Sequence, residues 1–175
     1  MGNRLSKTRK KRVIPEDWTT PDLIQGFEVT EIPDATLPGS RVLAIDTSGN
    51  LALLGGMDGV AVLYSLAQKQ ILHTLKCGDG SITAALFWEQ KPVLATSTGA
   101  IKIFENGDIV GEMLVHAGTA TDISLHPSGD ILASVGEDKS IVFYDLTTMK
   151  QAARIFTQSG SCLLLRLLLP FAHIM

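Results

Sequence analysis

The chain has 175 residues, 45% apolar and 19% charged, an ordinary globular balance rather than a disordered one. Its two cysteines, Cys77 and Cys162, exclude a disulfide-rich secreted scaffold, and no Asn-x-Ser/Thr sequon occurs. The longest apolar run, about Leu167 to Ile174, is well short of the ~18 residues of a membrane-spanning helix. The N-terminus lacks the apolar core of a signal peptide.

The net charge of −3 conceals two regions. Residues 1–12 carry Arg4, Lys7, Arg9, Lys10, Lys11 and Arg12 and no acid. The remainder holds nine cations against 18 acids, a formal charge of −9. Binding to phosphate backbones needs clustered Lys and Arg, so the acidic body is not expected to bind nucleic acid directly. The basic lead has three readings. It is a solvated linker; or Lys7, Arg9, Lys10, Lys11 and Arg12 form a nuclear-import cluster. Or Met1-Gly2-x-x-x-Ser6 is an acylation signal on Gly2, with the adjacent cations as the second membrane signal.

Residues 13–40 contain Ile14-Pro15-Glu16-Asp17 and Thr20-Pro21-Asp22-Leu23. Thr20-Pro21-Asp22 reads as the cap and first turn of a short helix, Pro being pre-set for the first helical position. Residues 1–40 are therefore expected to be a basic linker with one short helix.

From residue 41 a repeat of 40 residues sets in. Tyr64, Phe104 and Tyr144 close three apolar strings at intervals of 40. Asp58 and Asp138, like Gly49 and Gly129, lie 80 apart. The first unit predicts strands at 42–45, 51–54, 60–64 and 70–75. The second predicts 82–87, a turn at Gln90-Lys91-Pro92, then 93–96, 100–104 and 109–115. The third predicts 121–125, 131–135, 140–144 and 152–156. The first three strands of each unit are nearly all apolar, as in a sheet covered on both faces. The fourth mixes in polar residues, as an outer edge should. Four antiparallel strands every ~40 residues is the pattern of a propeller blade, so an all-β fold with three blades, about 41–80, 81–118 and 119–160, is expected.

At these residues the chain resembles the WD40 family. The resemblance implies a buried relay in each blade: His before the first strand, Ser or Thr on the second, Asp in the next turn and Trp on the third. The third unit fits best, with His116, Ser134 and Asp138, while Tyr144 replaces the Trp and leads into Asp145-Leu146. The first unit keeps Asp58 and has Tyr64-Ser65. The second has Cys77-Gly78, Thr98-Gly99 and Phe104 at the corresponding places, and is expected to lack the relay and rely on apolar packing.

With the basic lead in front, the order of segments resembles the U-box ubiquitin ligases of the spliceosomal nineteen complex, from their linker into their first blades. That resemblance implies a nuclear protein-binding module in mRNA splicing and DNA repair. Its partners would be nineteen-complex components or ubiquitination substrates. The ligase chemistry of that family belongs to a U-box and its oligomerisation to a coiled coil, and neither is read among these residues. Residues 1–175 alone are therefore expected not to transfer ubiquitin. The alternative is an N-myristoylated, membrane-peripheral WD-repeat scaffold.

After Phe156 the alternation disappears. Cys162-Leu163-Leu164-Leu165-Arg166-Leu167-Leu168-Leu169-Pro170-Phe171 is an apolar stretch with one charge. It reads as a helix docking the core, as an amphipathic membrane segment, or as a non-native end of a misread gene. The last is preferred, because such propellers have about seven blades and this chain holds three.

No catalytic chemistry is expected. His73, His116, His126 and His173 are scattered, no Cys-x-x-Cys pair offers a zinc site, and His126 before Pro127 reads as a turn residue. Gly78-Asp79-Gly80-Ser81 lacks the nucleophile-elbow pattern of a propeller hydrolase, and no phosphate-binding or dinucleotide-binding loop occurs. No catalytic, cofactor or metal residue is assigned, and function by surface recognition is what remains.

Overall fold

The computed structural model describes residues 41–45, 49–78 and 80–157, all within the compact unit Ile32–Met175. The basic lead with Gly2 and the Lys7–Arg12 cluster, the short helix near Thr20, His173 and the 161–175 tail lie outside the described residues.

The described residues build three four-stranded antiparallel sheets and no helix. Sheet one runs β1 (Arg41–Ile45), β2 (Leu51–Gly55), β3 (Val60–Ser65) and β4 (Gln70–Lys76). Sheet two runs β5 (Ile82–Trp88), β6 (Lys91–Thr96), β7 (Ala100–Glu105) and β8 (Asp108–Leu114). Sheet three runs β9 (Ala120–Leu125), β10 (Ile131–Gly136), β11 (Ser140–Asp145) and β12 (Lys150–Phe156). In each, spatial order equals chain order, as tight hairpins dictate. This is the blade pattern expected from the 40-residue repeat.

Sheet two is covered on both faces, which explains why its strands lack strict polar alternation. One face sets Leu94 and Phe104 against Leu53, Ala61, Leu63 and Leu75 of sheet one. The other sets Val93, Ala95, Ile101 and Ile103 against Ile123, Leu132, Val142 and Tyr144 of sheet three.

The turn expected at Gln90-Lys91-Pro92 lies one residue earlier. Trp88 pairs with Lys91, so Glu89 and Gln90 are the two loop residues, at φ 49° and 67°. Pro92 then falls inside β6. It is tolerated because pairing of β6 with β7 opens only at Val93, beyond the donor that proline lacks.

Bulges recur at matching places. Register shifts opposite Leu63/Tyr64, Ile103/Phe104 and Phe143/Tyr144 leave Leu72, Val110 and Ala152 as extra residues in the fourth strands. Shifts in the first strands do the same at Thr83 and Thr121. A bulge re-aims the side chain it carries, and these two threonines matter below.

Candidate functional site

Two features stand out: a polar relay binding sheet two to sheet three, and a cleft to which all three sheets contribute. The relay begins where the chain leaves β8. The amides of Val115 and His116 both donate to Gly99 O, turning the chain so that the His116 ring lies over Gly136. Only glycine fits beneath it, since a Cβ at Gly136 would stand 2.4 Å from His116 Cγ.

His116 Nδ1 lies 2.9 Å from Asp138 Oδ1, and its Nε2 lies 2.9 Å from Ser134 Oγ. A carboxylate only accepts, so Nδ1 carries the proton and donates to it. Nε2 is then left to accept from the Ser134 hydroxyl. Burial first, and the nearby Arg154 cation, push His116 below its usual range, against the pull of Asp138. The ring is therefore held neutral.

Asp138 is the hub. Besides His116, it accepts from Ser140 Oγ at 2.8 Å, from the Ser140 amide at 3.1 Å and from the Ala117 amide at 3.2 Å. Arg154 Nη1 approaches at 3.5 Å, while its Nη2 donates to Val115 O. Burial alone would raise this carboxyl. The hydrogen bonds from Ser140, His116 and Ala117 outweigh it and hold the carboxyl down at about 2.

Of the residues expected together, His116, Ser134 and Asp138 meet in one network. Tyr144 does not join it: its ring packs in the aliphatic cluster between sheets two and three. Two members were missed. Ser140 carries a local signal, since Asp two residues ahead of Ser favours a turn in which the carboxylate caps the backbone. Arg154 sits on an outer strand and carries none.

Sheet two carries a hydroxyl pair beside its apolar packing. At the place of Asp138 stands Thr98, whose hydroxyl lies 2.8 Å from that of the fully buried Thr96, and Thr96 Oγ1 donates to Ala100 O. In sheet one Asp58 receives, among the described residues, a long bond of 3.4 Å from the Val60 amide. Cys77 is buried, and burial pushes its thiol up to about 11, beyond what a reactive thiolate requires. His126 accepts from the Ser128 amide, as a turn residue does. Among the described residues no three His, Cys, Asp or Glu side chains come close enough to share a metal ion. None of their helices is long and apolar enough to cross a membrane.

The cleft measures about 520 Å³ and opens between the end of β2 and the starts of β5 and β9. Gly55, Gly56 and Met57 come from sheet one, Ser81, Ile82 and Thr83 from sheet two, and Thr119 and Thr121 from sheet three. Thr83 and Thr121 reach it through their bulges, and bond to Ala120 O and Val135 O respectively. Met57 projects beside it, 78% exposed. Hydroxyls and one flexible thioether, with no charge, suit the binding of a protein surface rather than a reaction. Bulges do not show in a sequence pattern, which is why these threonines could not be read in advance.

Residues 107–145 match the WD40 family, described as "WD domain, G-beta repeat". The match contains His116, Ser134 and Asp138. The chain is 30% identical to pre-mRNA-processing factor 19 of Caenorhabditis elegans over 144 residues, 80% of this chain and 29% of that protein. It is 28% identical to the Bos taurus protein of that name over 171 residues, 90% of this chain and 34% of the relative. It is 29% identical to pre-mRNA-processing factor 19 homolog 2 of Arabidopsis thaliana, across 91% of this chain and 30% of the relative. The chain thus spans about a third of the length of these relatives. Residues 107–145 are a WD40 repeat, and the chain is similar over most of its length to pre-mRNA-processing factor 19.

Proposed function

We propose that residues 41–160 form three blades that recruit proteins to a splicing-associated ubiquitin-ligase assembly in the nucleus. In this reading they supply recognition and not catalysis. His116, Ser134 and Asp138 are its internal clamp rather than its contact surface, His116 and Ser134 being buried and Asp138 half-buried. The observation that carries the reading is the hydroxyl-lined cleft shared by all three sheets, with Met57 exposed at its rim. The similarity to pre-mRNA-processing factor 19 supports spliceosomal proteins as the class of partner, and the resemblance to the U-box ligases adds ubiquitination substrates. The basic lead, with Lys7 and Arg9–Arg12, would serve nuclear entry.

The test is retention of spliceosomal proteins from nuclear extract by the immobilised chain, read by quantitative mass spectrometry. Met57→Arg and Thr119→Arg place a cation in the cleft and should cut retention about tenfold, as loss of a central contact does. Asp130→Lys, in an exposed turn away from the cleft, should leave it unchanged. Equal retention by all three variants would overturn the cleft as the contact. In the same preparation, residues 1–175 should discharge no ubiquitin from a loaded conjugating enzyme.

A further inference from the structure

A second concavity, of about 300 Å³, lies between sheets one and two, at the end of sheet two remote from the cleft. β5 runs from one to the other, with Ile82 at the cleft and Trp88 just ahead of Glu89 at the concavity. Leu63 and Leu72 of sheet one and Phe104 of sheet two give it an apolar floor, continuous with the packing between those sheets. His73, Glu89 and Asn106 stand around that floor. The β7–β8 loop closes on β4 here. A Cβ at Gly107 would lie 3.1 Å from His73 Nδ1, so glycine sets how closely the two walls approach.

We propose that this concavity takes an arginine side chain of a partner protein. Ligand pockets begin at about 300 Å³, so the space suits one long side chain rather than a cofactor. The apolar floor fits a methylene stem, which buries while its charged head stays at the wet rim. The charges at the rim select the head. Lys91, the cation in the lining, is already engaged: its Nζ lies 3.2 Å from Glu105 Oε1 and 5.5 Å from the centre of the Trp88 ring. Glu89 has no cationic partner among the described residues. A positive charge is what the rim lacks. The Asn106 carbonyl and the His73 ring add neutral acceptors beside that carboxylate. A guanidinium, planar and with five donors, can serve several such groups at once, whereas an ammonium acts as a single point.

The test titrates the full chain, isotope-labelled for magnetic resonance, with the peptide acetyl-Gly-Gly-Arg-Gly-Gly-amide at low ionic strength. The methyls of Leu63 and Leu72 and the amides of Asn106 and Gly107 should shift saturably. The same peptide with citrulline, which keeps the shape and loses the charge, should bind several-fold more weakly. So should the lysine peptide, which keeps the charge and loses the fork. Glu89→Gln, in an exposed loop, should weaken the arginine peptide several-fold with the rest of the spectrum preserved. Met57→Ala, at the cleft, should leave the titration unchanged, so the two sites are judged separately. No saturable shift, equal binding of the arginine peptide and either analogue, full binding by Glu89→Gln, or loss of binding in Met57→Ala would each overturn the proposal.

Discussion

His116 and Asp138 share a 2.9 Å hydrogen bond that fastens the chain leaving sheet two to the turn between β10 and β11 of sheet three. Each side chain also serves a second group on its far side. His116 takes the Ser134 hydroxyl, and Asp138 takes the amides of Ala117 and Ser140. Removing His116 takes this partner from the buried Ser134 hydroxyl, and removing Asp138 takes the carboxylate from the buried His116 Nδ1.

His116→Ala and Asp138→Ala should therefore each cost about 1–3 kcal/mol in urea unfolding. The double variant should cost less than the two together, because the second substitution removes a group already orphaned. Additive losses would mean that the two residues act separately. Tyr144→Phe, outside the network, should change stability by under ~0.5 kcal/mol.

Acid should weaken the fold in two stages. His116 is held neutral below its ordinary value of 6.5, so the unfolded chain takes up this proton first. Its contribution is complete above 6.5 and falls away as the pH drops below it. Asp138, held at about 2 against an ordinary 3.8, contributes fully above 3.8 and is lost as the pH falls towards 2. The urea midpoint should thus decline below pH 6.5 and again below pH 4. His116→Ala should abolish the first decline and keep part of the second.

Gly136→Ala and Gly55→Ala present the same nominal clash at 2.4 Å with different outcomes. At Gly55 the obstacle is the terminal methyl of Leu43, which can rotate aside. At Gly136 it is the His116 ring, pinned at both nitrogens. Gly136→Ala should cost about 1–3 kcal/mol more than Gly55→Ala. Equal midpoints would show that the ring moves freely.

The first and last of the three hairpin loops of sheet two differ in residue choice. Asn106-Gly107 supplies the residues that positive φ favours, whereas Glu89-Gln90 holds two ordinary side chains at 49° and 67°. Gln90→Gly should raise stability by about 1 kcal/mol, visible as a higher thermal midpoint. A lower midpoint would show that the Gln90 side chain contributes more than its backbone costs.

The three sheets were legible because strand composition and turn residues repeat at one interval, so Tyr64, Phe104 and Tyr144 fall at the same place in successive sheets. His116, Ser134 and Asp138 were legible only as a family pattern. They lie up to 22 residues apart, and no local periodicity connects them. The pattern also misled, assigning Tyr144 to the network although its alternation with Val142 and Leu146 turns it into the aliphatic core. Thr83 and Thr121 were out of reach because a bulge breaks the two-residue period on which strand reading depends. At Glu89-Gln90 the proline drew the expected turn one residue too far, since proline usually marks a turn and here begins a strand.

The relay also makes the two junctions between sheets unequal. Sheets two and three are held by apolar packing and by a pinned imidazole. Between sheets one and two the matching positions are Gly78, Leu94 and Thr98, where no imidazole stands, and the Thr98 hydroxyl bonds to Thr96 within sheet two. The molecule should therefore breathe from one end. Sub-global opening that frees β1–β4 comes at lower free energy than opening that parts sheet two from sheet three, and amide hydrogens of β2 and β3 exchange before those of β10 and β11.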